Sequence, residues 1–241
     1  MNYLSLYGLA MNKIPYENLR KRVLESNLAL VRYKLVEQTW GNASEYDRKN
    51  QVIAIKPSGL DYEEMTLESI VVVDINGKVI AGDKKPSVDL PIHLEIYRTY
   101  SGIGGIVHTH SKWATVWAQA GLPIPVYGTT HADFALGPIP CAGHLNIEDI
   151  INDYEKNIGV SIANVIQNPI LTPAVLCAGH GSFSWGVDSS TAVTNARTLE
   201  YIAEIAYHAK NLNPKVETIS DTLNQKHFYR KHGTSKYYGQ F

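Results

Sequence analysis

His108 and His110 stand one residue apart at the end of the apolar run Gly104-Gly105-Ile106-Val107. Side chains two apart on an extended strand leave by the same face, so both imidazoles can reach one point. Two neutral imidazoles meeting at a point describe a divalent-metal site, with a polar strand end as the plainer alternative. His180 adds weight to the metal. It closes a second short apolar run, Val175-Leu176-Cys177-Ala178, and stands between Gly179 and Gly181, where backbone or ligand can approach closely.

Other stretches carry chemistry of their own. Lys56-Pro57-Ser58-Gly59 offers a cation and backbone N–H groups that would hold an anion, or it is simply a loop after a strand. Tyr127-Gly128-Thr129-Thr130-His131-Ala132-Asp133 is dense in acid–base groups, although Asp133 also suits a turn. Asp89 stands where a helix N-cap belongs. Lys226 to His232 is basic and reads as a solvated helix face. His131 and His144 lack the strand-end setting and read as structural, while Trp40, Trp113 and Trp117 read as core. Gly102-Ile103-Gly104-Gly105 imitates a dinucleotide turn, but Val107 replaces the third glycine and the segment enters a strand, which rejects a nicotinamide site.

The elements that must position these residues are legible in outline. Pro15 opens an amphipathic helix with Leu19, Val23, Leu24, Leu28, Val31 and Leu35 on its stripe. Thr39 to Ser44 reads as a turn, Gln51 to Lys56 as a strand, and Asn76-Gly77 joins strands 69–75 and 78–81 in a hairpin. A helix runs from about Pro91 to Tyr100, and Ser111 caps another that Gly121 closes. Asn146 caps a helix running to about Gly159. Asp188 starts a long helix ending near Pro214, and a last one spans Asp221 to His232. Hairpin and non-hairpin strands together argue for one α/β domain, with a mixed or mostly antiparallel sheet covered by helices. Residues 1–14 read as an arm before a domain spanning 15–241.

The bulk properties exclude several classes. A net charge of −1 over 241 residues lacks the positive field that non-specific nucleic-acid binding needs. No window approaches the ~20 apolar residues of a membrane span. Cys141 and Cys177 form no Cys-x-x-Cys and read as small buried residues in a reducing compartment, which makes cytoplasmic the expected location.

A family resemblance emerges from the ordered set Thr39-Trp40-Gly41-Asn42, Lys56-Pro57-Ser58-Gly59, Lys85-Pro86-Ser87, Gly105 to His110, Gly128 to Asp133, and Lys226-His227 through Tyr237-Tyr238-Gly239-Gln240. The chain from about residue 15 onward resembles the L-ribulose-5-phosphate 4-epimerase group of the class II aldolase/adducin superfamily. The resemblance implies a sheet between two helical layers and a homotetramer with active sites shared between subunits. It also implies Zn2+, or another divalent cation such as Mn2+ or Co2+, on His108, His110 and His180, with Asp89 as a fourth ligand. Gly41, Asn42, Lys56, Ser58, Gly59, Ser87 and Val88 fall on substrate and phosphate positions; His227 and Arg230 on further substrate contacts; Thr129 and Glu155 on supporting ones. Asp133 and Tyr238 fall on the acid/base pair, Tyr238 reaching a neighbour's metal site. The group's usual Ser-Ser-Asp is here Ser87-Val88-Asp89, one hydroxyl fewer for the phosphate.

The implied reaction makes definite demands. C4 of a 2-ketopentose phosphate is not adjacent to the carbonyl, so direct deprotonation there cannot invert it. Retro-aldol cleavage of C3–C4, rotation of the aldehyde and rejoining can, given a Lewis acid for the enediolate and proton carriers on both faces. Two alternatives share the scaffold. One is a class II aldolase releasing dihydroxyacetone phosphate, and the other is a non-catalytic adducin-like assembly module.

Overall fold

The computed structural model describes residues 14–234 and 236–238. The expected N-terminal arm, Ile14 apart, and the terminal Gly239-Gln240 lie outside them.

Short, mostly buried runs build the sheet. The strands are β1 (Asn42–Asp47), β2 (Val52–Ile55), β3 (Val71–Asp74), β4 (Val79–Ala81), β5 (Gly105–Thr109), β6 (Cys141–Ala142), β7 (Ala174–Cys177) and β8 (Gly181–Gly186). They form one sheet in the order β4-β3-β2-β1-β5-β8-β7-β6. Every pairing is antiparallel except β6 with β7, so the expected mostly antiparallel sheet is what forms.

Successive residues of each strand feed opposite faces. Ile53, Ile55, Ile106, Phe183 and Trp185 join a core with α2 (Leu90–Thr99) and α6 (Tyr154–Val165). On the other face, Val52 and Ala54 pack against α1 (Glu17–Arg32), and Val107 packs against α1 and α7 (Ser189–Leu212). Ala174 and Leu176 meet α3 (Lys112–Ala120) and α7 on that same face. Three further helices, α4 (Thr129–Ala132), α5 (Ile147–Ile151) and α8 (Asp221–His232), complete the fold. Helices therefore cover both faces.

Several local expectations need correcting. Asn42, Ala43 and Ser44 belong to strand β1 rather than to a turn. Its buried polar side chains reach distant partners: Asn42 Nδ2 to Ser87 and Asp89, Ser44 to His93 and Tyr97, and Glu45 to Arg22 and Ser189, while Asn42 Oδ1 has no hydrogen-bond partner among the described residues. The helix read from Asn146 to Gly159 is two, broken at Asn152-Asp153, where Asp153 adopts φ 55°. Asn146 does cap the first through Asp149 N–H. Ser111 makes no capping bond; the Glu200 carboxylate of α7 accepts Trp113 N–H and Ala114 N–H at 2.8 and 3.0 Å instead. Trp117 is buried and Trp113 partly so, but Trp40 is 53% exposed. Among the described residues, no helix is long and apolar enough to cross a membrane.

Candidate metal centre and active site

The three histidines meet at one end of the β5–β8 pair. His108 ends on the same face as Ile106 and Phe183, with its ring stacked 4.3 Å from that of Phe183. His110 follows two residues on, and the Nε2 atoms of the two rings are 3.1 Å apart. His180 comes from the β7–β8 turn, where its N–H bonds Cys177 O at 3.0 Å and Gly179 takes φ 71° at the third turn position. One nitrogen from each ring lies within 4.8 Å of the others.

The donor set fits a divalent cation such as zinc. Tetrahedral Zn–N bonds of ~2.0–2.1 Å put ligand nitrogens about 3.4 Å apart, close to the His108–His110 spacing. Burial lowers the proton affinity of all three rings, His108 to about 3, so they are held as neutral donors. His108 Nδ1 lies 3.0 Å from Ser182 O, which fixes its proton there and leaves Nε2 free for a ligand bond. His180 Nε2 is buried without a hydrogen-bond partner among the described residues.

Asp89 stands at the start of α2 on the same side of the sheet. Its backbone occupies the N-cap place, but its carboxylate caps nothing. It accepts Asn42 Nδ2–H at 2.7 Å and Ser87 Oγ–H at 3.3 Å. Burial works against the charged form, yet His108, His93, His180 and the Asn42 amide hold the group below its ordinary pKa. The ligand atoms that converge within 4.8 Å come from the three histidines alone, and the Asp89 oxygens are not among them. Gly41 is required here for space and conformation: at φ 80°, a Cβ would stand 2.9 Å from His108 O.

The anticipated anion loop is partly spent on itself. Ser58 N–H donates to Lys85 O and Ser87 N–H to Lys56 O, both at 3.0 Å, so these two amides join the loops. The amides of Gly59 and Val88 make no hydrogen bond among the described residues, and Ser58, Gly59 and Val88 are exposed. Lys56 is buried rather than presented to solvent. Its ammonium donates to Thr39 O at 3.1 Å and sits over the Tyr62 ring, and burial lowers its pKa to about 8.

A second cluster forms where α4 meets α8. The Asp133 carboxylate takes His227 Nδ1 at 3.0 Å, Arg230 Nη2 at 2.8 Å and Lys231 Nζ at 3.5 Å. Burial opposes its ionisation, but Arg230, His227 and Lys231 outweigh that and hold it low. Arg230 and Lys231 both lie over the Tyr238 ring, at 5.0 and 4.7 Å. Asp133 lines a cleft with Trp185 and Gly186, the end of β8 remote from His180. At ~3.3 Å per residue, the run from His180 to Gly186 spans about 20 Å. One chain does not bring the two clusters together. Thr129 opens α4, with its carbonyl accepting Asp133 N–H at 2.9 Å, and Glu155 is half-buried on α6. His131 is buried with Nε2 3.1 Å from Gly137 O, while His144 is exposed beside Gly179.

The family model for the Class II Aldolase and Adducin N-terminal domain matches residues 21–207. The chain belongs to the class II aldolase/adducin family. A solved L-fuculose 1-phosphate aldolase is similar to this family member at 30% identity and a TM-score of 0.78, over 87% of this chain and 94% of that one. The L-fuculose 1-phosphate aldolase from Glaciozyma antarctica PI12 shares 20% identity and a TM-score of 0.72, covering 88% and 80%. YgbL from Klebsiella pneumoniae, put forward as an aldolase, epimerase or decarboxylase, shares 21% and 0.68, covering 87% and 97%. At these identities the last two speak to fold alone.

Proposed function

We propose that this protein is a metal-dependent sugar-phosphate enzyme that epimerises L-ribulose 5-phosphate to D-xylulose 5-phosphate at C4, breaking and remaking C3–C4. The observation that carries the reading is the pairing of a three-histidine cluster, buried at His108 and open towards solvent at His110, with a separate acid–base cluster at the far end of β8.

His108, His110 and His180 would hold Zn2+ or a similar divalent cation, with Asp89 as an additional ligand. Such a cation supplies Lewis-acid stabilisation of negative charge developing on the cleaved ketose fragment. The protein's own groups do the rest. Asn42 and Ser87 hold the Asp89 carboxylate in place. The Gly59 and Val88 amides, with the Ser58 hydroxyl, are open to receive the phosphate that tethers the aldehyde fragment through its rotation. Asp133 and Tyr238, with His227 and Arg230, act at the site of an adjacent copy, Asp133 on one face of the aldehyde and Tyr238 on the other. That arrangement requires a homo-oligomer, and we propose a tetramer.

A second reading has an observation of its own. The 30% identical structure is an aldolase, so net cleavage of a sugar 1-phosphate to dihydroxyacetone phosphate is the alternative. Incubating purified protein and zinc with L-ribulose 5-phosphate, and separately with L-fuculose 1-phosphate, separates them. Appearance of D-xylulose 5-phosphate without free aldehyde supports epimerisation. Dihydroxyacetone phosphate from the second substrate alone would replace it with the aldolase reading.

A further inference from the structure

The three ligand rings are not supported equally. His108 has a fixed backbone partner in Ser182 O. His110 is the most exposed of the three and has the Trp40 ring tilted beside it at 6.4 Å. His180 rides on a turn rather than a strand, and its ring has no backbone hydrogen-bond partner among the described residues. Its one side-chain hydrogen-bond partner among the described residues is Tyr154, whose hydroxyl lies 3.4 Å from Nδ1, with the two rings edge to face.

Tyr154 is placed by a costly piece of backbone. It is the first residue of α6, and Asp153 before it sits at φ 55°, ψ 46°, in the left-handed region that few non-glycine residues adopt. The break between α5 and α6 that sets this conformation is fastened by Asn157. Its Nδ2 donates to Asn152 O at 2.5 Å and to Asp149 O at 3.0 Å. The same break points the start of α6 at the β7–β8 turn, on the face where Asp89 begins α2. The Tyr154 ring packs against the core that contains Cys177 and Phe183. A strained turn held by a dedicated clamp is a reason to look for a task, and the contact with His180 supplies one.

We infer that Tyr154 is the positioning residue of the metal centre: its hydroxyl accepts the Nδ1–H of His180 and so commits Nε2 to the cation. The inference rests on the three-histidine metal site and is independent of which sugar is turned over. Outer partners of this kind set tautomer and ring orientation, and their loss typically weakens metal affinity ~10–100-fold. Tyr154→Phe removes the hydroxyl and keeps the packed ring.

The test is zinc affinity by competition with a chromophoric chelator, on the full chain and on Tyr154→Phe, together with the visible spectrum of each loaded with Co2+. The expected result is zinc binding ~10–100-fold weaker and an altered Co2+ spectrum, with the melting temperature of the metal-free proteins unchanged. A purely structural tyrosine would lower that melting temperature and leave the spectrum alone. Equal zinc affinity with identical Co2+ spectra overturns the inference. The unaltered protein gives a second reading, since 15N spectroscopy of its zinc-loaded imidazoles should find the His180 proton on Nδ1. Ligation through Nδ1 overturns the inference as well. A wild-type chain that binds no zinc removes the metal centre and this inference together, whereas tight zinc without epimerase turnover removes only the sugar assignment.

Discussion

Gly181→Ala is the sharpest probe of how the fold builds the metal centre. Gly181 follows His180 and pairs with Cys177 across the β7–β8 turn. A Cβ there would stand 2.7 Å from Thr109 O, 3.0 Å from His110 Cδ2 and 3.4 Å from His108 Cε1. Taking 3.4 Å as an ordinary contact, β5 and β8 must part by about 0.7 Å (3.4 less 2.7) at the Thr109–Ser182 pair. Overpacking of this kind costs about 1–3 kcal/mol. The movement falls on two of the three ligand rings, so zinc affinity should drop by about the ~10–100-fold expected when ligand orientation is disturbed. Urea unfolding of the metal-free protein measures the first effect, and chelator competition the second. Gly102→Ala is the control, because a Cβ there meets nothing within 4 Å and should stay within about 0.5 kcal/mol. Wild-type stability and wild-type zinc affinity in Gly181→Ala would refute the claim that this glycine exists to let the rings converge.

Other expected outcomes follow from single contacts. Glu200→Ala removes two charge-assisted bonds from the start of α3 and should cost ~2–4 kcal/mol in denaturant unfolding, with Glu200→Gln losing less. His131 is buried with its pKa lowered to about 4, so the unfolded chain binds its proton first as pH falls. Stability contributed by the neutral ring is complete above the unfolded value near ~6.5 and declines from there down to about 4, by up to ~3 kcal/mol. His131→Gln should flatten that part of the stability–pH curve, and an unchanged slope would contradict it. Tyr238→Phe should retain zinc and lose ~10²–10⁴-fold in turnover. If sites are shared between copies, unfolding and co-refolding Tyr238→Phe with His108→Ala should restore activity that neither variant has alone; no recovery would argue for sites within single chains.

What the sequence disclosed depended on how each residue earns its place. His108 and His110 were readable because strand periodicity alone puts them on one face, and the glycines around His180 marked the close approach that the β7–β8 turn and Gly181 display. Strand β1 was hidden because Asn42, Ser44 and Glu45 are buried through hydrogen bonds to distant residues, which no hydrophobic pattern reveals. Strand β8 carries its own signal, the alternation Gly181-Ser182-Phe183-Ser184-Trp185-Gly186. Ser111 and Asp89 fit N-cap rules locally, but tertiary partners, Glu200 in one case and Asn42 with Ser87 in the other, took over. The loss of the Ser58 and Ser87 amides to the bridge between their loops, and the role of Tyr154 beside His180, needed the fold itself.

Three imidazoles from two separate segments are placed to share one cation. Anomalous diffraction at the zinc edge from crystals grown with zinc tests it most directly. One strong peak is expected at ~2.0–2.1 Å from a nitrogen of each of His108, His110 and His180. A peak bound elsewhere, with the three rings turned away from a common centre, would contradict it.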